Sequence, residues 1–149
     1  MASRGFEYAY MLDGTNATPV IRDWPMVADT AGYKKGDALV VDSNGRADKV
    51  GTASASVAFI CQETDTSVTS DDTLKVAFVN PQQVWRCSMN ASSTTIKKVY
   101  TKTIQFADEN TISATATTSG AMTLIDTDTD DDGNVMAYVA FKCQLGGHS

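Results

Sequence analysis

Histidine is nearly missing from this chain: His148 is the only one among 149 residues, and it sits in a tail containing Gly-Gly. A Ser-His-Asp or Cys-His machine needs an imidazole held in place, and a fraying terminus does not hold one. Cysteine is scarce as well. Cys61, Cys87 and Cys143 are odd in number and far apart, so no C-x-x-C pair supports a zinc site and no spacing supports a disulfide. Each lies in a strand-like run, and free buried thiols acting as small hydrophobes are expected. Positive charge is in the minority: 12 Lys and Arg against 18 Asp and Glu leave a net charge of −6. That argues against binding nucleic acid through its phosphates, and against docking on an anionic membrane. No apolar run approaches the roughly 20 residues of a spanning helix. The start MASRGFEYAYMLDG has no signal-peptide core, so folding in a reducing cytosol is expected. Helical periodicity is absent too; any helix should be a turn or two, near residues 106 to 111.

What remains is strand. The composition, 42% hydrophobic and 20% charged, is that of an ordinary globular domain. Between Gly36 and Met89 short apolar runs alternate with polar turns. Leu39 to Asp42 leads into Asn44-Gly45, a dipeptide that favours a two-residue type I′ hairpin turn. Val57 to Cys61 reads as a buried strand. Thr73 to Val79 puts Leu74, Val76 and Phe78 on one face, and Asn80-Pro81-Gln82-Gln83 is a turn. Val84 to Met89 aligns Trp85, Cys87 and Met89, which assigns Trp85 to a core. Further on, Ile96 to Phe106 and Ile112 to Thr118 alternate more loosely. The cleanest element is the last, with Val135, Ala137, Val139, Phe141 and Cys143 on a shared face. Met122 to Ile125 is its hairpin partner across an Asp-rich turn. The expected class is all-β, with short antiparallel strands.

Residues 1–30 have no sustained period, and Pro19 and Pro25 push their predecessors toward extended backbone. They read as an irregular, extended N-terminal arm before a β-rich domain at 31–149. The arm either packs on its own domain or anchors on a neighbouring subunit. Tyr8, Tyr10 and Trp24 are the interface candidates, because Tyr and Trp are enriched at interface cores.

Chemistry-bearing motifs are few. From Asp128 the spacing D-x-D-x-D-G matches the first half of a calcium loop, and makes Asp128, Asp130 and Asp132 the metal candidates. The twelfth position is Val139, which supplies no bidentate carboxylate, so a solvated acidic hairpin turn is the expectation. Gly32-Tyr33-Lys34-Lys35-Gly36 lacks the spacing of a phosphate-binding loop. The remaining carboxylates cluster in Thr/Ser/Gly turns, where solvation rather than a glycosidase pair is expected. Neither a cofactor nor an enzyme activity is expected.

The run SVAFICQETDTSVTSDDTLKVAFV, after its lysine-glycine lead-in and Asn-Gly turn, resembles the small all-β decoration, or cement, proteins of tailed-bacteriophage capsids. The closing MTLIDTDTDDDGNVMAYVAF is similar to the last hairpin of that family, and the likeness spans roughly residues 30 to 143. The resemblance implies a compact β-barrel or β-tulip domain on the outer surface of the virion. It also implies a homotrimer whose partner is the major capsid protein, and it carries no catalytic residues. Two other readings stay open. One is a different virion subunit, of the tail tube or head completion. The other is a carbohydrate-binding β-sandwich using Trp24 and an Asp-bound calcium.

Overall fold

A computed structural model of the chain describes residues 5–52, 54–90, 103–113 and 120–144. The stretch Ile96 to Lys102, most of Ile112 to Thr118 and His148 lie outside them. The described residues form twelve strands and no helix: β1 (Glu7–Met11), β2 (Ile21–Pro25), β3 (Ala38–Val41), β4 (Ala47–Lys49), β5 (Phe59–Cys61), β6 (Thr73–Phe78), β7 (Gln83–Ser88), β8 (Thr103–Ile104), β9 (Phe106–Asp108), β10 (Thr111–Ile112), β11 (Met122–Thr129) and β12 (Val135–Phe141). The fold is all-β. Residues 106 to 111, where any helix of a turn or two was expected, form instead the β9–β10 hairpin, closed by Asp108 accepting the Asn110 N–H at 3.0 Å.

Two five-stranded antiparallel sheets carry the architecture. The first has the order β1-β7-β12-β11-β8, the second β2-β6-β5-β3-β4. Their facing sides share one apolar cluster. Trp85, Cys87, Ala137, Val139 and Phe141 enter it from the first sheet, and Ala38, Ile60 and Ala77 from the second. The opposite side of the second sheet holds a cluster of its own, with Leu39, Phe59, Cys61, Leu74 and Val76. Pleating accounts for both, since consecutive residues such as Phe59 and Ile60 point to opposite faces. The Trp24, Phe59 and Phe78 rings meet in the second cluster at centroid distances of 4.8 to 5.9 Å. A fully buried side chain of this kind contributes about 1.5–3 kcal/mol, so the two clusters dominate the fold's stability.

The second sheet curls around that cluster until its two edges nearly meet. Met26, just past β2, bridges Ala47 of β4, and the Val27 N–H donates to the Ala47 carbonyl at 2.9 Å. One bridge does not make a closed barrel, which corrects the barrel expectation: β4 is three residues long, too short to pair further with β2.

Within the extended N-terminal segment, residues 7–11 and 21–25 pair as strands on the domain's own sheets. β1 pairs with β7 and β2 with β6, each at the edge of its sheet. Extended backbone forced by Pro19 and Pro25 suits an edge, where one side of the strand needs no ladder partner. The two predicted hairpins are present and share one turn type, which at Asn44-Gly45 is not the type I′ expected. In both Asp42–Arg46 and Asp130–Asn134 the glycine N–H returns to the Asp carbonyl at 3.1 Å. The Asp Oδ1 accepts two further backbone N–H groups in each turn. Only the glycines, Gly45 at φ 79° and Gly133 at φ 83°, are left-handed. A type I′ turn would need positive φ at Asn44 too, so these are type I turns closed by a glycine bulge.

Candidate interaction surface

Among the described residues the large exposed hydrophobics are Tyr10, Leu12, Val20 and Ile21, each 42% to 49% exposed. All fall on β1, β2 or the connection between them, the segment that supplies one edge of each sheet. Tyr8 fastens that connection: its hydroxyl donates to the Ala17 carbonyl at 2.7 Å, while its ring stands edge-on to Trp85 at 5.6 Å. Between the two edges lies a cleft of about 630 Å³, lined by Tyr8, Ile21, Lys35, Gln62 and Trp85 among others.

Of the three aromatic interface candidates, Tyr10 is the exposed one. Tyr8 is half-buried on Trp85. Trp24 is packed on Phe59, and its indole N–H donates to the Gly45 carbonyl at 2.9 Å. Both its face and its polar edge are in use, so it is not the open sugar-stacking platform considered above. Trp85, 1% exposed, lies in the core as its alternation predicts.

The acidic run is divided between strand and turn. β11 continues to Thr129, so Asp126 and Asp128 are strand residues and only Asp130 to Asp132 belong to the turn. Asp128 accepts from Arg86 Nη2 at 3.0 Å and from the Tyr138 hydroxyl at 2.7 Å. Asp130 accepts from the Asp132 and Asn134 N–H groups and from the Asn134 side-chain amide. Asp128, Asp130 and Asp132 therefore do not converge. Among the described residues no group of three His, Cys, Asp or Glu side chains is arranged to hold a metal. The spacing that matched half a calcium loop builds a hairpin turn instead.

What the linear sequence did not single out is a row across the outer face of the first sheet. Register aligns Glu7 of β1 with Arg86 of β7, Arg86 with Tyr138 of β12, and Tyr138 with Asp126 of β11. The Arg86 guanidinium lies over the Tyr138 ring at 5.6 Å. Asp128 raises the pKa of both neighbours, by accepting from the guanidinium of one and the hydroxyl of the other. These residues come from four strands, so no local spacing announces them.

The three cysteines are free and buried, as expected. Burial pushes the Cys61 and Cys143 thiols up to about 11 and raises Cys87 as well, which keeps all three protonated and poor nucleophiles at neutral pH. One carboxylate is also buried. Asp37, 1% exposed, accepts from the Lys34 N–H at 3.0 Å and the Asn110 side-chain amide at 3.1 Å. Burial, with a smaller push from Glu109, raises its pKa against those hydrogen bonds. Asn110 belongs to the β9–β10 turn, so Asp37 pins that hairpin to the start of β3.

Comparison of the chain with protein-family models, with curated proteins and with solved structures finds no match.

Proposed function

We propose that this protein is a structural, non-enzymatic component of a tailed-phage virion. In this reading it is a decoration protein on the outer surface of the expanded capsid, where a homotrimer clamps neighbouring copies of the major capsid protein. The observation that carries it is the gathering of Tyr10, Leu12, Val20 and Ile21 on the one segment that forms an edge of both sheets. Exposed apolar side chains beside an unpaired strand edge suit a surface that another chain covers. The net charge of −6 suits the outside of a shell better than its DNA-lined interior. Clamping then works by mass action: a subunit that binds only the expanded lattice lowers that state's free energy at every site it fills.

The test is addition of the purified protein to undecorated expanded capsids, with occupancy measured against concentration. The expected result is saturable binding in register with the lattice, with light scattering showing a trimer. Absence of binding at micromolar concentration would remove the reading, and a ring or polymer in scattering would move it to a tail tube.

A further inference from the structure

The connection from β1 to β2 is longer than the step it makes. It carries the chain from the edge of the first sheet to the edge of the second, while the connection from β6 to β7 makes the same crossing in the other direction. Main-chain hydrogen bonds tie the two together at both ends. The Leu12 N–H donates to the Gln82 carbonyl at 2.7 Å, and the Phe78 N–H to the Val20 carbonyl at 2.9 Å. The β6–β7 connection makes the crossing with residues 79–82, four in number, whereas the β1–β2 connection takes nine, residues 12–20. The surplus lies in water. Asp13 to Thr18 are all exposed, and beyond its chain neighbours Gly14 has no atom within 4 Å of where a Cβ would stand. The loop is turned back by the Gly14 N–H on the Met11 carbonyl at 3.1 Å, the Thr15 N–H on Asp13 Oδ1 at 3.0 Å and the Tyr8 hydroxyl on the Ala17 carbonyl at 2.7 Å. Leu12 and Val20 at its two ends are 42% and 49% exposed.

β1 itself is fastened by contacts that any copy of the chain can offer. Its ladder is with β7, and just ahead of it the Phe6 N–H donates to the Gly36 carbonyl at 2.8 Å. The Phe6 ring, 2% exposed, stands edge-on to Phe106 at 5.8 Å and to Phe141 at 5.2 Å, as Tyr8 does to Trp85. Because β1 is an edge strand, another β1 can take its place without threading between strands. These contacts are the same whether β1 belongs to the chain or to a neighbour. An exchange therefore gives up the hydrogen bonds that turn the loop back, and the freedom of the separate copies. Against that loss, loops crossing between copies cover Leu12 and Val20, which the closed chain leaves in water. Fully extended, nine residues reach about 30 Å, enough to leave the chain's own edge for that of a neighbour.

We infer that β1 is exchanged between copies of this chain, residues 5–11 of each copy seating on β7 of the next. Exchange in one direction closes into a ring when the last β1 seats on the first copy. The inference deepens the decoration reading by linking the copies of its trimer, and rests on that reading only for their number. Two single variants of the full-length chain, Glu7→Cys and Arg86→Cys, are unfolded together, refolded and oxidised. Glu7 is opposite Arg86 across the ladder, within reach of a disulfide, and the chain's own thiols are buried. A disulfide-linked hybrid is expected, holding up to about half of the Glu7→Cys chains, the share that random mixing seats on an Arg86→Cys neighbour. Glu7→Cys mixed with Ser70→Cys should give none. The unmutated chain gives a second reading that no folding defect can spoil. When isotope-labelled and unlabelled copies are refolded together, isotope-filtered NOEs between Tyr8 and Trp85 should connect different chains. A hybrid no more abundant than in the Ser70→Cys control, NOEs confined to single chains, or a monomer in light scattering would each overturn the inference. Capsid binding by wild type separates the two readings. Binding without any hybrid removes only the exchange, and a hybrid without capsid binding removes only the decoration reading.

Discussion

The first sheet buries one face and leaves only part of the other to solvent, whereas the second has almost none to show. In β12 Val139 is buried in the shared core and Tyr138 is half-exposed on the outer face, where Met136 is buried as well. In β5 every residue is buried, Ile60 toward the first sheet and Phe59 and Cys61 toward the curled sheet's own cluster. Polar side chains can be gathered into a row only where part of a face is left to solvent. That is why the Glu7–Arg86–Tyr138–Asp126 row lies on the first sheet. The second sheet works as scaffold, and it reaches the surface mainly through its edge strand β2 and its loops.

The largest expected effect breaks this scaffold. Phe59→Ala empties the centre of the aromatic trio and should cost about 3–5 kcal/mol. The chain carries a reporter in each core, Trp85 in the shared cluster and Trp24 packed against the other. With Trp24→Phe and Trp85→Phe as single-tryptophan backgrounds, fluorescence follows each core separately during denaturation. Because β3, β5 and β6 feed both clusters, the two signals should move together, and Phe59→Ala should shift both equally. A Trp24 transition that runs ahead of Trp85 would mean the cores unfold as separate units.

A smaller effect sharpens the seam between the second sheet and the β9–β10 hairpin. Asp37 titrates above the ordinary 3.8 because it is buried. A carboxyl with a raised folded pKa favours the protonated form. Its contribution to stability is full below the unfolded value and is lost as pH rises through the folded one. Asp37→Asn removes that titration and sets an amide N–H2 against donors that the carboxylate accepts, at a cost of about 1–3 kcal/mol. Wild type should therefore gain stability relative to Asp37→Asn as pH falls from neutral toward 4, measured by paired thermal melts. A gap between the two proteins that is constant with pH, or that widens toward neutral, would show that Asp37 is not the titrating group.

The same contrast between the sheets explains what could be read from the sequence. The closing hairpin was legible because β12 has one buried face, and Val135, Ala137, Val139 and Phe141 all enter the shared core. Two-sided burial also left a signal, since Phe59-Ile60-Cys61 is a continuous apolar run. β1 and β2 were illegible because edge strands need no apolar alternation, and theirs exposes Tyr10 and Ile21. The row on the outer face was hidden in part by bulges in β1 and β11. Spacing by two puts Tyr8 with Tyr10, and Leu124 with Asp126, on common faces that the register shifts then separate. Its other members meet only through pairing of strands far apart in the chain.

The smallest effect compares the arginine–aspartate pairs, of which each sheet has one among the described residues. In Arg86–Asp128 the guanidinium lies on the Tyr138 ring and Asp128, 44% exposed, also accepts from the Tyr138 hydroxyl. Arg46–Asp71 joins the β3–β4 turn to the turn before β6 through two hydrogen bonds, of 2.7 and 3.1 Å, with Asp71 63% exposed. Arg46 holds the Asp71 carboxyl below its usual range, yet water and salt screen a pair this open. Asp71 also has a left-handed backbone at φ 70°. Asn tolerates that conformation, so Asp71→Asn removes the charge while keeping the turn. Its melting shift should be barely resolvable, and it should vanish in about 0.5 M salt, where screening is nearly complete. Asp71→Ala loses the pair and strains the turn together, so it should be the worse of the two and should stay worse at high salt. If both variants recovered fully in salt, the left-handed turn would contribute nothing and the ion pair alone would set this corner of the curled sheet.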